Sequence, residues 1–174
     1  MTRKTLFIHS LAIMSLFPIL RASEPTPVGS PAPAVTCPDQ DGNVVNLGEA
    51  LASGTTLVYF YPKADTPGCT AQACSLRDAI EELKALDVTV IGVSSDSPAA
   101  QKKFQEKYEL PFTLLADEKG EVAAAFGVGG VLGFTRRSSF LVRDGVVVWA
   151  QPKAGTKGHA DEVKAALAAL GSNS

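Results

Sequence analysis

Residues 55–78 read TTLVYFYPKADTPGCTAQACSLRD, and three structural signals follow one another within them. Thr55 to Tyr61 is a short apolar run rich in β-branched and aromatic residues, the pattern of a buried strand. A turn marked by Pro62, Pro67 and Gly68 comes next. Beyond Pro67, the residues Leu76, Ile80, Leu83 and Leu86 recur at helical spacing. Strand, turn and helix in this order begin an α/β fold.

The same alternation continues along the chain. VTVIGVS (88–94) reads as a second buried strand, and Ser97 and Pro98 as the N-cap and first residue of a helix through Tyr108. PFTLLAD (111–117) supplies a third strand and EVAAAFG (121–127) a short helix closed by Gly127. SSFLVRDGVVVWA (138–150) predicts a hairpin turning at Asp144-Gly145. A last helix is expected from His159 to Leu170, with Val163, Ala166, Leu167 and Leu170 on one side. The expected architecture is a mixed central β-sheet flanked by helices on both faces.

With 174 residues, 45% of them hydrophobic, the chain has material for one core and no room for a second domain. A net charge of −2 and the lack of a basic run past the first residues argue against a nucleic-acid partner. Arg3 and Lys4 precede an apolar run from Leu6 to Leu20, a pattern that reads as an export signal over residues 1–22. A transmembrane span wants about 20 apolar residues, so an uncleaved anchor is the second reading. A plastid transit peptide fits worse, being Ser-rich and amphipathic. Cleavage after Ala22 would remove Arg3, Lys4 and Arg21, leaving 13 basic against 18 acidic residues, a charge of −5. Residues 23–33, rich in Pro and small residues, read as an extended linker, and 34–174 as the folded domain.

Cys69 and Cys74 stand five positions apart at the start of the second element. In an intact helix that spacing means about 7.5 Å of rise and roughly 140° of rotation, hence Cα atoms roughly 8 to 9 Å apart. A disulfide wants them below about 7 Å. If both lie in the first turns, the helix must unwind before they join, which suggests a bond made and broken rather than a static staple. Pro67 and Gly68 place Cys69 just inside the helix start, where unsatisfied N–H groups and the dipole favour an anion and so a thiolate. Such a thiolate attacks disulfides, peroxides or acyl carbons. Acyl transfer wants a His base, and the two histidines here are His9 in the signal and His159 near the last helix. Peroxide needs none, and the sulfenic acid it leaves condenses with a neighbouring thiol.

The residues also carry a resemblance. Pro62-Lys-Ala-Asp-Thr66-Pro-Gly-Cys69 matches the PxxxTxxC signature of peroxiredoxins, and YPKADTPGCTAQACSLRD resembles the Q-type subfamily, also called bacterioferritin comigratory protein. The likeness runs from Pro33 to Leu170 through PDQDG, VIGVSSDSP, FTLLAD, FGV and RRSSFLVRDG. It implies a thioredoxin-like fold and thiol peroxidase activity toward hydrogen peroxide and organic hydroperoxides, without metal or other cofactor. By motif position, Cys69 would be the peroxidatic cysteine, Thr66 a hydroxyl on the peroxide, Pro62 a wall shielding the thiolate, Arg137 the active-site arginine and Cys74 the resolving cysteine. The implied reductant is a dithiol protein of the thioredoxin class, and the implied state a monomer, with no stable membrane partner once the signal is cleaved. The segment GVGGVLGFTRR (127–137) is shorter than in many bacterial relatives and resembles the plastid and cyanobacterial form. The export signal, pointing to a bacterial periplasm, is unusual beside the many cytosolic relatives.

Simpler readings stand beside these. Cys69 and Cys74 could be buried thiols or a static bridge; Cys37 reads as a small buried hydrophobe, with a resolving duty the lesser alternative. Arg136 and Arg137 point to opposite sides, and the motif assigns Arg137 inward. The glycines 127, 129, 130 and 133 make a flexible turn rather than a nucleotide loop. His159 is expected at the surface, Trp149 in packing on the hairpin, and Lys63 and Asp65 as charges at the site's rim. The rival functions are a thiol–disulfide oxidoreductase, which would want C-x-x-C, and a non-catalytic binding domain on the same fold.

Overall fold

A computed structural model describes residues 24–130 and 134–172. The expected signal, residues 1–22, and the middle of the glycine-rich turn lie outside the described residues. The strands are β1 (Thr36–Pro38), β2 (Val44–Asn46), β3 (Thr55–Phe60), β4 (Val88–Ser94), β5 (Thr113–Ala116), β6 (Ser138–Arg143) and β7 (Val146–Gln151). The helices are α1 (Leu47–Ala50), α2 (Pro67–Asp78), α3 (Ile80–Ala85), α4 (Pro98–Lys107), α5 (Glu121–Ala125) and α6 (His159–Gly171). β1 and β2 form a small antiparallel pair, and the main sheet has the order β5-β4-β3-β6-β7. Within it β3, β4 and β5 run parallel, while β6 and β7 are antiparallel to their neighbours, so the sheet is mixed as expected.

β3 is central, and its unbroken apolar run follows from burial on both faces. Leu57 and Tyr59, with Tyr61 just beyond, point into one core, with Leu76, Phe104 and Val163 from the helices. Val58 and Phe60 point into the other, with Leu47, Val122 and Phe126. The hairpin turns through Asp144 (φ 49°) and Gly145 (φ 77°), both left-handed, the pairing a two-residue hairpin favours.

Two elements differ from expectation. The helix after Pro67 is interrupted at Ala79 (φ −97°, ψ 8°), giving α2 and α3. Leu76 and Leu83 are buried on either side of the break, whereas Leu86, beyond the end of α3, is 52% exposed. The stretch read as an extended linker turns at Gly29 (φ 89°) and is tied down: Gly29 N–H donates to Val147 O (2.8 Å), Val147 N–H to Ser30 O (2.9 Å) and Ala32 N–H to Gly145 O (2.8 Å). It thus covers the edge of β7, which would otherwise offer unpaired backbone groups.

Cys37 is 3% exposed and belongs to the core on the opposite face of the sheet from Cys69. Burial first, then Asp117 and Glu121, push its thiol up to about 12. A thiol that stays protonated in the fold but ionises when unfolded contributes stability that is present below about pH 8.5 and is lost as pH rises toward 12. Urea midpoints are therefore expected to fall from about pH 8.5 upward, with buried Tyr59 and Tyr61, also raised by burial, adding to the fall as pH nears about 10. The fall should be shallower in Cys37→Val, and equal slopes in the two proteins would count against this cause.

Candidate active site

The loop that carries Pro62 and Thr66 is anchored by a buried polar chain at the end of β3. Tyr61 Oη donates to Gln101 Oε1 (2.5 Å), and Gln101 Nε2 donates to Ser94 Oγ (2.9 Å) and Leu115 O (2.8 Å). Ser94 Oγ donates to Asp96 Oδ2 (2.7 Å), which also accepts from Ala64 N–H (2.7 Å). Each polar atom in the chain has a partner, as burial demands. Asp65, with left-handed φ of 58°, is held from α4 by Lys107 Nζ (2.8 Å) and Tyr108 Oη (2.6 Å). The Lys107 ammonium and the Tyr108 hydroxyl hold its carboxyl below the usual range. The rim charge expected of Asp65 is thus a tether between the loop and α4.

The loop delivers Thr66 to the N-cap of α2 (φ −92°, ψ 151°). An N-cap threonine usually accepts an N–H from the first turn. Here Thr66 Oγ1 donates to Lys63 O (3.0 Å), and among the described residues it makes no cap bond. Pro67 has no N–H, and Thr70 N–H bonds back to Thr66 O (2.8 Å). The N–H groups of Gly68 and Cys69 have no acceptor within the helix.

Cys69 is 1% exposed, and Arg137 Nη2 donates to its Sγ at 3.3 Å. Arg137 Nη1 makes a short hydrogen bond to Gln72 Oε1. Arg137 reaches the thiol because β3 and β6 pair with Phe60 opposite Ser138. That register sets the residue before β6 beside the loop leaving β3. Arg136 is exposed and Arg137 half-buried, so Arg137 is the inward one.

Of the residues singled out by sequence, Cys69 and Arg137 touch, and Thr66 occupies the N-cap position of the helix whose first turn carries the thiol. Pro62 is half-buried at the β3 end of the loop. Cys74, also half-buried, follows in the same unbroken helix, and all three thiols are free. Gln72 was not foreseen. The signal was available, since it stands three residues after Cys69 and so on the same side of α2. His159 corrects an expectation: it is fully buried rather than at the surface, because Ser139 and Glu162 satisfy its ring nitrogens. Trp149 packs against the core as expected.

A thiol at an uncapped helix start, facing a guanidinium on a thioredoxin-like sheet, defines a thiol peroxidase, with charge and donors gathered where an O–O bond would be cleaved. The sequence pattern of the AhpC/TSA family matches residues 28–150, and the chain belongs to that family. Within it the likeness is to Bcp and Q-type peroxiredoxins. The chain is 48% identical over 125 residues to the Escherichia coli K12 protein named peroxiredoxin Bcp, covering 68% of this chain and 80% of that one. Its structure is similar to the crystal structure of peroxidoxin BcpB from Mycobacterium tuberculosis, with a TM-score of 0.75 and 35% identity over 82% of this chain and 97% of that one. It is also similar to a Xanthomonas campestris bacterioferritin comigratory protein, with a TM-score of 0.72 and 32% identity over 78% and 91%. That structure is described as a trapped intermediate/ligand complex bearing on alkyl peroxide reduction.

Proposed function

We propose that this peroxidase works through Cys69 as the attacking thiolate and Cys74 as the resolving thiol, on hydrogen peroxide and organic hydroperoxides. The observation that carries the reading is the 3.3 Å contact from Arg137 Nη2 to Cys69 Sγ at the uncapped start of α2. The guanidinium stabilises the thiolate and offers further N–H groups to the peroxide. The Cys69 N–H, in the first turn of α2, has no acceptor within the helix and is free to donate there. Since Thr66 Oγ1 spends its proton on Lys63 O, its lone pairs remain to accept the O–H of the peroxide. Pro62, half-buried at the β3 end of the same loop, is taken as the wall that shields the thiolate.

In the first step an S–O bond forms as the O–O bond breaks. The departing oxygen takes a proton and leaves as water or alcohol, and Cys69 becomes a sulfenic acid. The Cys74 thiolate then attacks that sulfur and displaces its oxygen as water, giving the Cys69–Cys74 disulfide. A dithiol protein of the thioredoxin class returns both thiols by exchange. The protein acts as a monomer and is exported to a periplasm; the export is supported by the Arg3, Lys4 and Leu6–Leu20 pattern. The oxidoreductase alternative is disfavoured by the four residues between the thiols. The test is peroxide-dependent NADPH consumption with thioredoxin and its reductase. Failure to consume peroxide, with insulin disulfides reduced instead, would overturn the proposal.

Because α2 is continuous from Pro67 to Asp78 in the free-thiol form, oxidation is expected to unwind its first turns. Amide exchange at residues 70–75 should speed up in the oxidised protein. Equal protection in both redox forms would sink the local opening.

A further inference from the structure

Behind the thiol site a second chain of hydrogen bonds joins β6 to α6. His159 Nδ1 lies 3.1 Å from Glu162 Oε2, and His159 Nε2 lies 2.9 Å from Ser139 Oγ. Glu162 Oε2 also accepts from Gly155 N–H at 3.0 Å. An ionised carboxylate only accepts, so Nδ1 carries the proton and Nε2 accepts from the Ser139 hydroxyl. The order Ser, His, Glu is that of a hydrolytic triad. Ser139, however, is fully buried in β6 between β3 and β7, where no substrate carbonyl reaches it. The groups facing His159 are Glu162 from its own helix, Arg137 from the segment before β6 and the Tyr59 ring from β3. Burial acts to raise the Glu162 carboxyl, but the Gly155 N–H and His159 together hold it below the usual range.

What this chain holds is the strap of residues 152–158 between β7 and α6. Ala154 N–H in the strap donates to Arg137 O (3.3 Å), and Ser138 Oγ donates to Pro152 O (3.2 Å). Arg137 itself precedes β6 and lies outside the sheet ladder, so the strap steadies its backbone. The side chain and the strap both border Gly68: a Cβ placed there would lie 3.3 Å from Arg137 Nη2 and 3.7 Å from Thr156 Cγ2. Gly155 is fitted closely to Glu162, since a Cβ there would fall 2.6 Å from Oε1.

We propose that Glu162, oriented by His159, is a positioning residue for Arg137: through Gly155 it fixes the strap, and the strap sets the guanidinium on Cys69. The inference rests on the peroxidase reading above. The experiment is a double-mutant cycle on the rate of Cys69 oxidation by hydrogen peroxide, in wild type, Glu162→Ala, Arg137→Ala and the double variant. Glu162→Ala is expected to lower the second-order rate constant about tenfold or more, as small misplacements of a reacting group do. On the Arg137→Ala background it should have no further effect, because the two act as one unit. Gly155→Ala, which pushes the carboxylate off the strap, is expected to repeat the pattern and serves if Glu162→Ala does not fold. Wild-type rates in both variants, or an equal loss with and without Arg137, would overturn the proposal. A wild-type Cys69 that peroxide does not oxidise would instead remove the peroxidase reading itself.

Discussion

Cys69→Ser is expected to abolish peroxide turnover, whereas Cys74→Ser should still consume one equivalent of peroxide and then stall at the sulfenic acid. A serine hydroxyl without an adjacent base is not a nucleophile near neutral pH, and Arg137, a fixed cation, does not serve as that base. The Cys74 variant keeps everything the first step uses. It has no internal substitute for the second, because the remaining thiol, Cys37, is 3% exposed and lies in the core across the sheet. Trapping with dimedone and mass measurement should find one adduct on Cys69 in Cys74→Ser, and added small thiol should restore its turnover. Undiminished turnover by Cys69→Ser would remove the mechanism. Disulfide formation between Cys69 and Cys37 in Cys74→Ser would show that the sheet does not keep those thiols apart.

Arg137→Ala should lower the rate of Cys69 oxidation by roughly 10²- to 10³-fold, the usual loss when a donor aimed at a developing charge is removed. The guanidinium spans two partners, with Nη2 on Cys69 Sγ and Nη1 on Gln72 Oε1. Arg137→Lys retains the charge and loses the fork, so it should recover only part of the rate. The ultraviolet absorbance of the thiolate separates two contributions. If thiolate is retained in Arg137→Lys while peroxide reactivity stays low, the arginine acts mainly on the departing oxygen. Oxidation of Arg137→Ala at the wild-type rate would show that the contact to the thiol is incidental.

The strand, turn and helix of residues 55–78 were legible because their causes are local. An apolar β-branched run, a proline and glycine turn and a helical period need no knowledge of the rest of the chain. The break at Ala79 was not legible, since Leu76, Ile80 and Leu83 keep helical spacing across it. His159 was misread for the opposite reason. Nothing beside it in sequence announces burial, and Ser139, the partner that makes burial tolerable, lies 20 residues away. Gln72 was overlooked although its three-residue step from Cys69 puts it on the thiol's side of α2, because that step alone does not say that its amide binds Arg137.

The sequence by itself determined the thiol at the first turn of a helix, the five-residue step to the second thiol and the need to unwind before they join. Those follow from helix geometry within about one and a half turns. Only the tertiary structure decided how Arg137, named by the motif, reaches the thiol, what holds it there and why Cys37 stands apart. These depend on β3 pairing with β6 in the register that sets Phe60 opposite Ser138. The register is a long-range contact, chosen by burying both faces of β3, and it brings Arg137 to a cysteine 68 residues away.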